Sequence, residues 1–298
     1  MISFNNRNGF LEAIGRARRI ELSSWLLPRN SRVVAALEDA GDRGAEVHVR
    51  LEGRPFAGNA EDAEKLEKLN RDTVCTLRRH HVDAQLTKKG AAPLHLKAAV
   101  LDGRSYLAER NWAAHDTIVS TSDERDAAAI ESAIEGKPYD TADLALRKDR
   151  ALALEAALIR EAPAGTAIEC ETESLGASAV SGALLERARR GEKNLRLVFN
   201  QAALTTRSDR ATAPEAERRA AHETLAALRA AGVEVRWSKA NEKFCVAGSS
   251  AWLGSANATG GEAPTIDWGM RTSDSSAVAQ LRARFEADWG TKAPANSA

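Results

Sequence analysis

The feature that most constrains this chain is an internal repeat. Leu94-His95-Leu96-Lys97-Ala98-Ala99-Val100-Leu101-Asp102-Gly103 reads as a strand entering a tight turn, since Asp-Gly is a strong hairpin dipeptide. Its return strand, from Ser105 to Ala108, leads to Asn111. Asn241-Glu242-Lys243-Phe244-Cys245-Val246-Ala247-Gly248 has the same shape and leads through Trp252 to Gly254-Ser255-Ala256-Asn257. Lys243 lies 146 positions after Lys97 (243 − 97), and Asn257 lies 146 after Asn111 (257 − 111). Asp267 lies 151 after Asp116 (267 − 116), and Thr272-Ser273-Asp274 stands 151 after Thr121-Ser122-Asp123. A five-residue insertion after Asn257 accounts for the change of offset. A repeat this long is a fold-level signal, because each copy is one structural unit.

The order of elements repeats with it. Helix Phe4 to Arg19, strand Ile20 to Leu27, helix Arg32 to Ala40 capped by Ser31, strand Ala45 to Leu51, helix Ala60 to His80 and strand Val82 to Leu86 precede the first hairpin. Strand Ile118-Val119 and a helix capped by Asp123 follow it. A long helix over Thr141 to Ala162 joins the halves. Strand Thr166 to Glu171, helix Ser178 to Arg190, strand Leu195 to Phe199, helix Ala213 to Ala231 and strand Val233 to Trp237 precede the second hairpin. Helix Gln280 to Trp289 and a loose tail close the chain. Alternating helices and strands of this kind give an α/β fold. We divide it into residues 1–140 and 141–298.

Side chains two apart on a strand share a face, so His95 and Lys97 point the same way. His-x-Lys-x4-Asp followed by a hairpin and a Gly-Ser-x-Asn-like corner resembles the signature of the phospholipase D superfamily. The first copy matches at His95, Lys97, Asp102 and Asn111, but Ala108-Glu109-Arg110-Asn111 replaces Gly-Ser-x-Asn. The second keeps Gly254-Ser255-Ala256-Asn257 and Lys243, but has Asn241 in place of His and Gly248 in place of Asp. The resemblance covers essentially the whole chain. It implies an α/β/α sandwich of two pseudo-symmetric repeats with mixed sheets, facing each other across a pseudo-twofold axis.

It also implies a chemistry: phosphodiester cleavage through a phosphohistidine, with no metal and no other cofactor. By position His95 is the nucleophile. Lys97, Lys243, Asn111 and Asn257, helped by Ser255, hold the non-bridging oxygens, as donors aimed at developing charge must. Asp116 would orient His95 in the manner of a triad carboxylate, and Asp102 would belong to the motif mainly by fixing the hairpin. Asn241 cannot carry a proton at neutral pH, so the second motif (Asn241, Gly248, with Asp267 downstream) is degenerate. Two readings follow: a phosphodiesterase with one working histidine, acting on a phospholipid headgroup or a nucleic acid, or a module that binds phosphate or a partner without turnover. Trp112 and Trp252 flank the corners, as liners of a substrate mouth or as wedges.

Composition bounds these readings. Forty-two basic residues balance forty-two acidic ones, so no global charge draws the chain to nucleic acid or anionic membrane. Lys88 and Lys89 remain as a local basic pair before the first motif. The three cysteines, Cys75, Cys170 and Cys245, have no metal-type spacing and read as reduced thiols. His80-His81 reads as a solvated helix end. No signal peptide and no transmembrane run stand out, so a cytoplasmic protein is expected, and a homodimer is compatible with the sequence.

Overall fold

The computed structural model describes residues 2–57, 59–114, 116–200, 215–238, 242–260 and 265–290. Asn241 and the tail at 291–298 lie outside the described residues, as does the start of the helix expected from Ala213. The chain forms two compact units, Met1–Lys148 with Ala263–Trp268, and Asp149–Glu262 with Gly269–Ala298.

In the first unit the elements are β1 (Ile2–Asn5), α1 (Arg7–Arg16), β2 (Arg19–Ser24), α2 (Arg32–Asp42), β3 (Glu46–Leu51), α3 (Ala60–Arg78), β4 (Asp83–Leu86), β5 (Ala98–Leu101), β6 (Arg104–Ala108), β7 (Ile118–Thr121), α4 (Glu124–Ile134) and the short β8 (Leu144–Ala145). The first sheet has the order β1-β7-β6-β5-β2-β3-β4. Strands β2, β3 and β4 are parallel neighbours, while β5, β6 and β7 form an antiparallel meander, so the sheet is mixed. Alternation explains its faces: Val47, Val49 and Leu51 of β3 are buried, with Phe10 and Ile14 of α1 and Val34 and Leu37 of α2 packed in the same core. The two caps read from the sequence, Ser31 and Asp123, are present. The Ser31 side chain accepts from the Val34 N–H, and that of Asp123 from the N–H groups of Arg125 and Asp126.

The second unit repeats this plan with α5 (Lys148–Glu161), β9 (Ile168–Thr172), α6 (Ala179–Arg189), β10 (Leu195–Asn200), α7 (Glu215–Ala230), β11 (Glu234–Ser238), β12 (Phe244–Ala247), β13 (Ser250–Gly254), β14 (Gly269–Thr272) and α8 (Ser275–Gly290). Six strands of the second sheet run in the order β11-β10-β9-β12-β13-β14. This matches β4-β3-β2-β5-β6-β7 strand for strand. The hairpins correspond at 146 (Phe244 − Ala98) and the strands after them at 151 (Gly269 − Ile118), as the repeat predicts.

Two elements differ from expectation. The single helix over Thr141 to Ala162 is instead β8 followed by α5. Thr141 N–H bonds the Leu144 carbonyl, and the Asp140 carboxylate accepts from Leu146 N–H. A turn therefore interrupts the stretch that composition alone makes helical. Helix α1 starts after a strand, because Ile2 to Asn5 pair antiparallel with Ile118 to Thr121. The Asn6 side chain then caps α1 through Gly9 N–H.

The turn at Asp102-Gly103 has both residues in the left-handed region, φ +47° and +82°. This is the hairpin geometry that Asp-Gly favours. The Asp102 carboxylate accepts from the backbone N–H of Arg18 and of Arg19, at 3.1 and 2.8 Å, and so ties the turn to the start of β2. At the equivalent turn Gly248 has φ +61°, a conformation glycine adopts without strain. Losing Asp at this place thus leaves the turn itself intact. We expect Asp102→Ala to cost about 1–3 kcal/mol in a urea melt, two backbone donors being released, while leaving activity unchanged. A large loss of turnover at unchanged stability would show a chemical role.

Candidate active site

The site is built where the first hairpin begins. The ladder of β5 starts at Ala98, opposite Ser23, and not at Leu94. The reason is that β2 ends at Ser24, whose hydroxyl turns to bond the Leu26 carbonyl. His95 to Lys97 are therefore extended but outside the ladder. Leu94 forms an isolated parallel bridge with Ile266, and Ile266 N–H bonds the Pro93 carbonyl at 2.9 Å. The segment Ala263–Trp268 is thereby part of the first unit. Buried Trp268 anchors it through an Nε1–H bond to the Ala108 carbonyl.

That segment delivers Asp267. Its Oδ1 accepts from His95 Nδ1 at 2.6 Å, and its Oδ2 accepts from the Thr265 hydroxyl at 2.6 Å. On the other side of the ring, Lys97 Nζ stands 2.8 Å from His95 Nε2 and donates to it. The network sets the tautomer: the proton is on Nδ1, held by a carboxylate, and Nε2 carries the lone pair. The His95 side chain is 21% exposed, against 2% for Asp267, so a partly exposed ring rests on a buried support. Burial alone would raise the Asp267 carboxyl. The positive charge that the His95 ring carries once protonated and its hydrogen bond, then Lys97 and Thr265, outweigh that and hold it well below the usual carboxylate range.

This corrects the expected partner of His95. Asp116 does not reach it as the orienting group; its two oxygens accept from the backbone N–H of Arg110 and of Trp112, at 3.0 and 2.9 Å. Burial raises the Asp116 carboxyl, partly offset by those backbone donors. Asp116 thus shapes the corner that presents Asn111, in which Trp112 adopts φ +60°. The side-chain carbonyl of Asn111 accepts from Leu26 N–H at 3.1 Å. Asp102, at the far end of the hairpin, fixes the turn as described. Trp112 is core: it stacks on Phe10 at 4.4 Å and donates to the Ser23 carbonyl.

The aromatic residues that do flank His95 were not singled out from the sequence. Trp25 meets the ring edge-on at 5.2 Å, and Phe56 lies 26° from parallel to it at 6.1 Å, itself 57% exposed. Phe56 sits on a loop and Trp25 just past a strand end, where no periodicity announces contact.

The second unit, taken by itself, carries the equivalent frame. Lys243 is buried, and its Nζ bonds Glu173 Oε2 at 2.8 Å. Ser255 is fully buried. The Thr172 hydroxyl bonds the Ser174 carbonyl just as Ser24 bonds Leu26. Asn257 Oδ1 is buried and meets no donor among the described residues. Trp252 is core, 1% exposed. His48 and His80 pair with surface carboxylates, as solvated residues do.

The fold is phospholipase D-like, two α/β repeats with mixed sheets, and solved structures share it. Among solved structures, a polyphosphate kinase from Porphyromonas gingivalis matches with a TM-score of 0.67 at 14% identity, covering 96% of this chain. A phosphatidylserine synthase from Haemophilus influenzae Rd KW20 matches with a TM-score of 0.66 at 10% identity, covering 97% of this chain. The chain spans 46% of the length of that kinase and 86% of that synthase. No protein-family model matches the sequence, and no curated protein matches it either. Among the described residues, no helix is long and apolar enough to cross a membrane.

Proposed function

We propose that the chain is a phosphodiesterase that works through a phosphohistidine at His95. The observation that carries this is the relay Thr265–Asp267–His95–Lys97, with links of 2.6, 2.6 and 2.8 Å about a partly exposed ring. A carboxylate that holds the Nδ1 proton keeps Nε2 free to attack and stabilises the cation that attack creates. The P–Nε2 bond forms as the P–O bond to the leaving group breaks. Lys97, now holding the Nε2 lone pair, transfers its hydrogen bond to a non-bridging oxygen of the incoming ester. Asn111, its carbonyl end held by Leu26, has its amide N–H groups for the same task. Water then attacks phosphorus and releases His95. The superfamily fold supports phosphodiester chemistry in general and favours neither a phospholipid headgroup nor a nucleic acid.

The presence of Asn241 where the second motif needs a histidine favours the alternative, a phosphate-binding or partner-binding module. One assay separates them. Bis(4-nitrophenyl) phosphate should be cleaved by wild type, and His95→Ala should fall to the uncatalysed background. Equal rates for the two proteins would remove His95 from the reaction, and an inert wild type that still binds vanadate would establish the binding module.

A further inference from the structure

The second unit holds a group of side chains for which the chemistry above has no use. Cys170 in β9 and Cys245 in β12 are register partners across an antiparallel pair. Glu155, on α5, completes the group: one carboxylate oxygen and the two sulfurs all lie within 4.8 Å of one another. The three residues are 3%, 1% and 0% exposed (Glu155, Cys170, Cys245), and both thiols are free.

The repeat shows what packing alone asks of this place. In the first unit β2 and β5 bring Leu22 opposite Ala99, both fully buried, at the positions equivalent to Cys170 (22 + 148) and Cys245 (99 + 146). A Leu–Ala pair fills the site without a polar atom. The second unit puts two thiols there and adds a carboxyl. Carboxyl groups are almost absent from cores unless they are paired or coordinate a cation, because their charged form loses its hydration. Two sulfurs and one carboxylate oxygen form a donor set suited to a thiophilic closed-shell cation. Zinc binds cysteine sulfur at about 2.3 Å and carboxylate oxygen at about 2.0–2.2 Å. Tetrahedral donors at those lengths are roughly 3.5–3.8 Å apart, which lies inside the spread seen here.

We propose that Glu155, Cys170 and Cys245 form a structural site for a thiophilic divalent cation, separate from the reaction at His95. On binding, each thiol loses its proton to solvent and forms a metal–sulfur bond. The carboxylate supplies the third ligand, and a water takes the fourth position. Two protons leave as one divalent cation enters, so with the carboxylate ionised the group carries one negative charge before and after binding. Such a cation would clamp α5 to the centre of the second sheet.

The test uses the full chain, with zinc as the probe. Protein made in zinc-supplemented medium and purified without chelator should hold about one zinc per chain by elemental mass spectrometry. Cobalt exchanged into it should show sulfur-to-metal charge-transfer absorption. The double variant Cys170→Leu with Cys245→Ala copies the pair of the first unit, so it should fold, and it should lose both the metal and the absorption. Glu155→Gln should hold zinc more weakly and keep the sulfur absorption. Cys75→Ser, which alters the exposed thiol, should change neither. Wild type that takes up no zinc, even after unfolding and refolding in its presence, would overturn the proposal. So would a folded double variant that holds as much zinc as wild type.

Discussion

Mixed rapidly with bis(4-nitrophenyl) phosphate, the protein should release a burst of nitrophenolate close to one per chain, followed by slow turnover. The reasoning rests on which protons the chain can move. His95 has its Nδ1 proton committed to Asp267 and its Nε2 committed to phosphorus, so neither end protonates the leaving oxygen. Of the six histidines, only His95 stands in the motif; the equivalent residue of the second repeat is Asn241. Nitrophenolate leaves without a proton, so the first step should go. A glycerol or sugar alkoxide needs one, and general acid catalysis is typically worth about 10²–10⁴-fold, so alkyl diesters should react slower by a factor in that range beyond their intrinsic difference. The second step meets the same substitution, since Asn241 cannot act as the base that a second motif histidine would be for water. Phosphohistidine should then accumulate and be recoverable as an acid-labile mass increase at His95. Rapid cleavage of alkyl diesters without a burst would show that another residue supplies the acid.

Asp267→Asn should be the most damaging change outside His95 itself. An amide can present either a donor or an acceptor to Nδ1, so the ring loses its enforced tautomer. In hydrolases with an Asp–His pair the same change costs on the order of 10⁴-fold in kcat, and we expect about 10²–10⁴-fold here, with KM little moved. The strongly hydrogen-bonded Nδ1 proton resonance of His95 should vanish from the NMR spectrum as well. A mere loss of packing would not remove that signal selectively. The same carboxylate predicts a pH effect on stability. Its folded value is depressed, chiefly by His95 against the opposing effect of burial, so its contribution is present above the ordinary aspartate value of about 3.9 and is lost as pH falls through the folded value. Wild type should therefore lose stability below about pH 4 more steeply than Asp267→Asn. Parallel acid melts of the two proteins would show that His95 and Asp267 are uncoupled.

Much of this protein was legible in its residues. The constant spacing of 146 from Lys97 to Lys243 and from Asn111 to Asn257 means that two stretches of chain face the same steric and hydrophobic demands, so they fold alike. The caps at Ser31 and Asp123 are local events within three residues, and short-range chemistry decides them. His95 and Lys97 share a face because extended backbone has a period of two.

What could not be read was anything that depends on where a distant segment returns. Asp116 lies nearer His95 in sequence and repeats as Asp267, so the two carboxylates are equivalent on the page. The fold separates them: the N–H groups of Arg110 and Trp112 capture Asp116, while the Leu94–Ile266 bridge and the Trp268 anchor carry Asp267 back to the ring. Cys170 and Cys245, 75 residues apart (245 − 170), become neighbours because β12 pairs with β9. Trp25 and Phe56 meet His95 from a strand end and a loop, where no pattern records contact. The sequence by itself determined the repeat, the motif and the hairpins, because those follow from local geometry. Only the tertiary structure decided which acid serves the histidine, because pairing across long stretches of chain depends on sheet order and backbone routing.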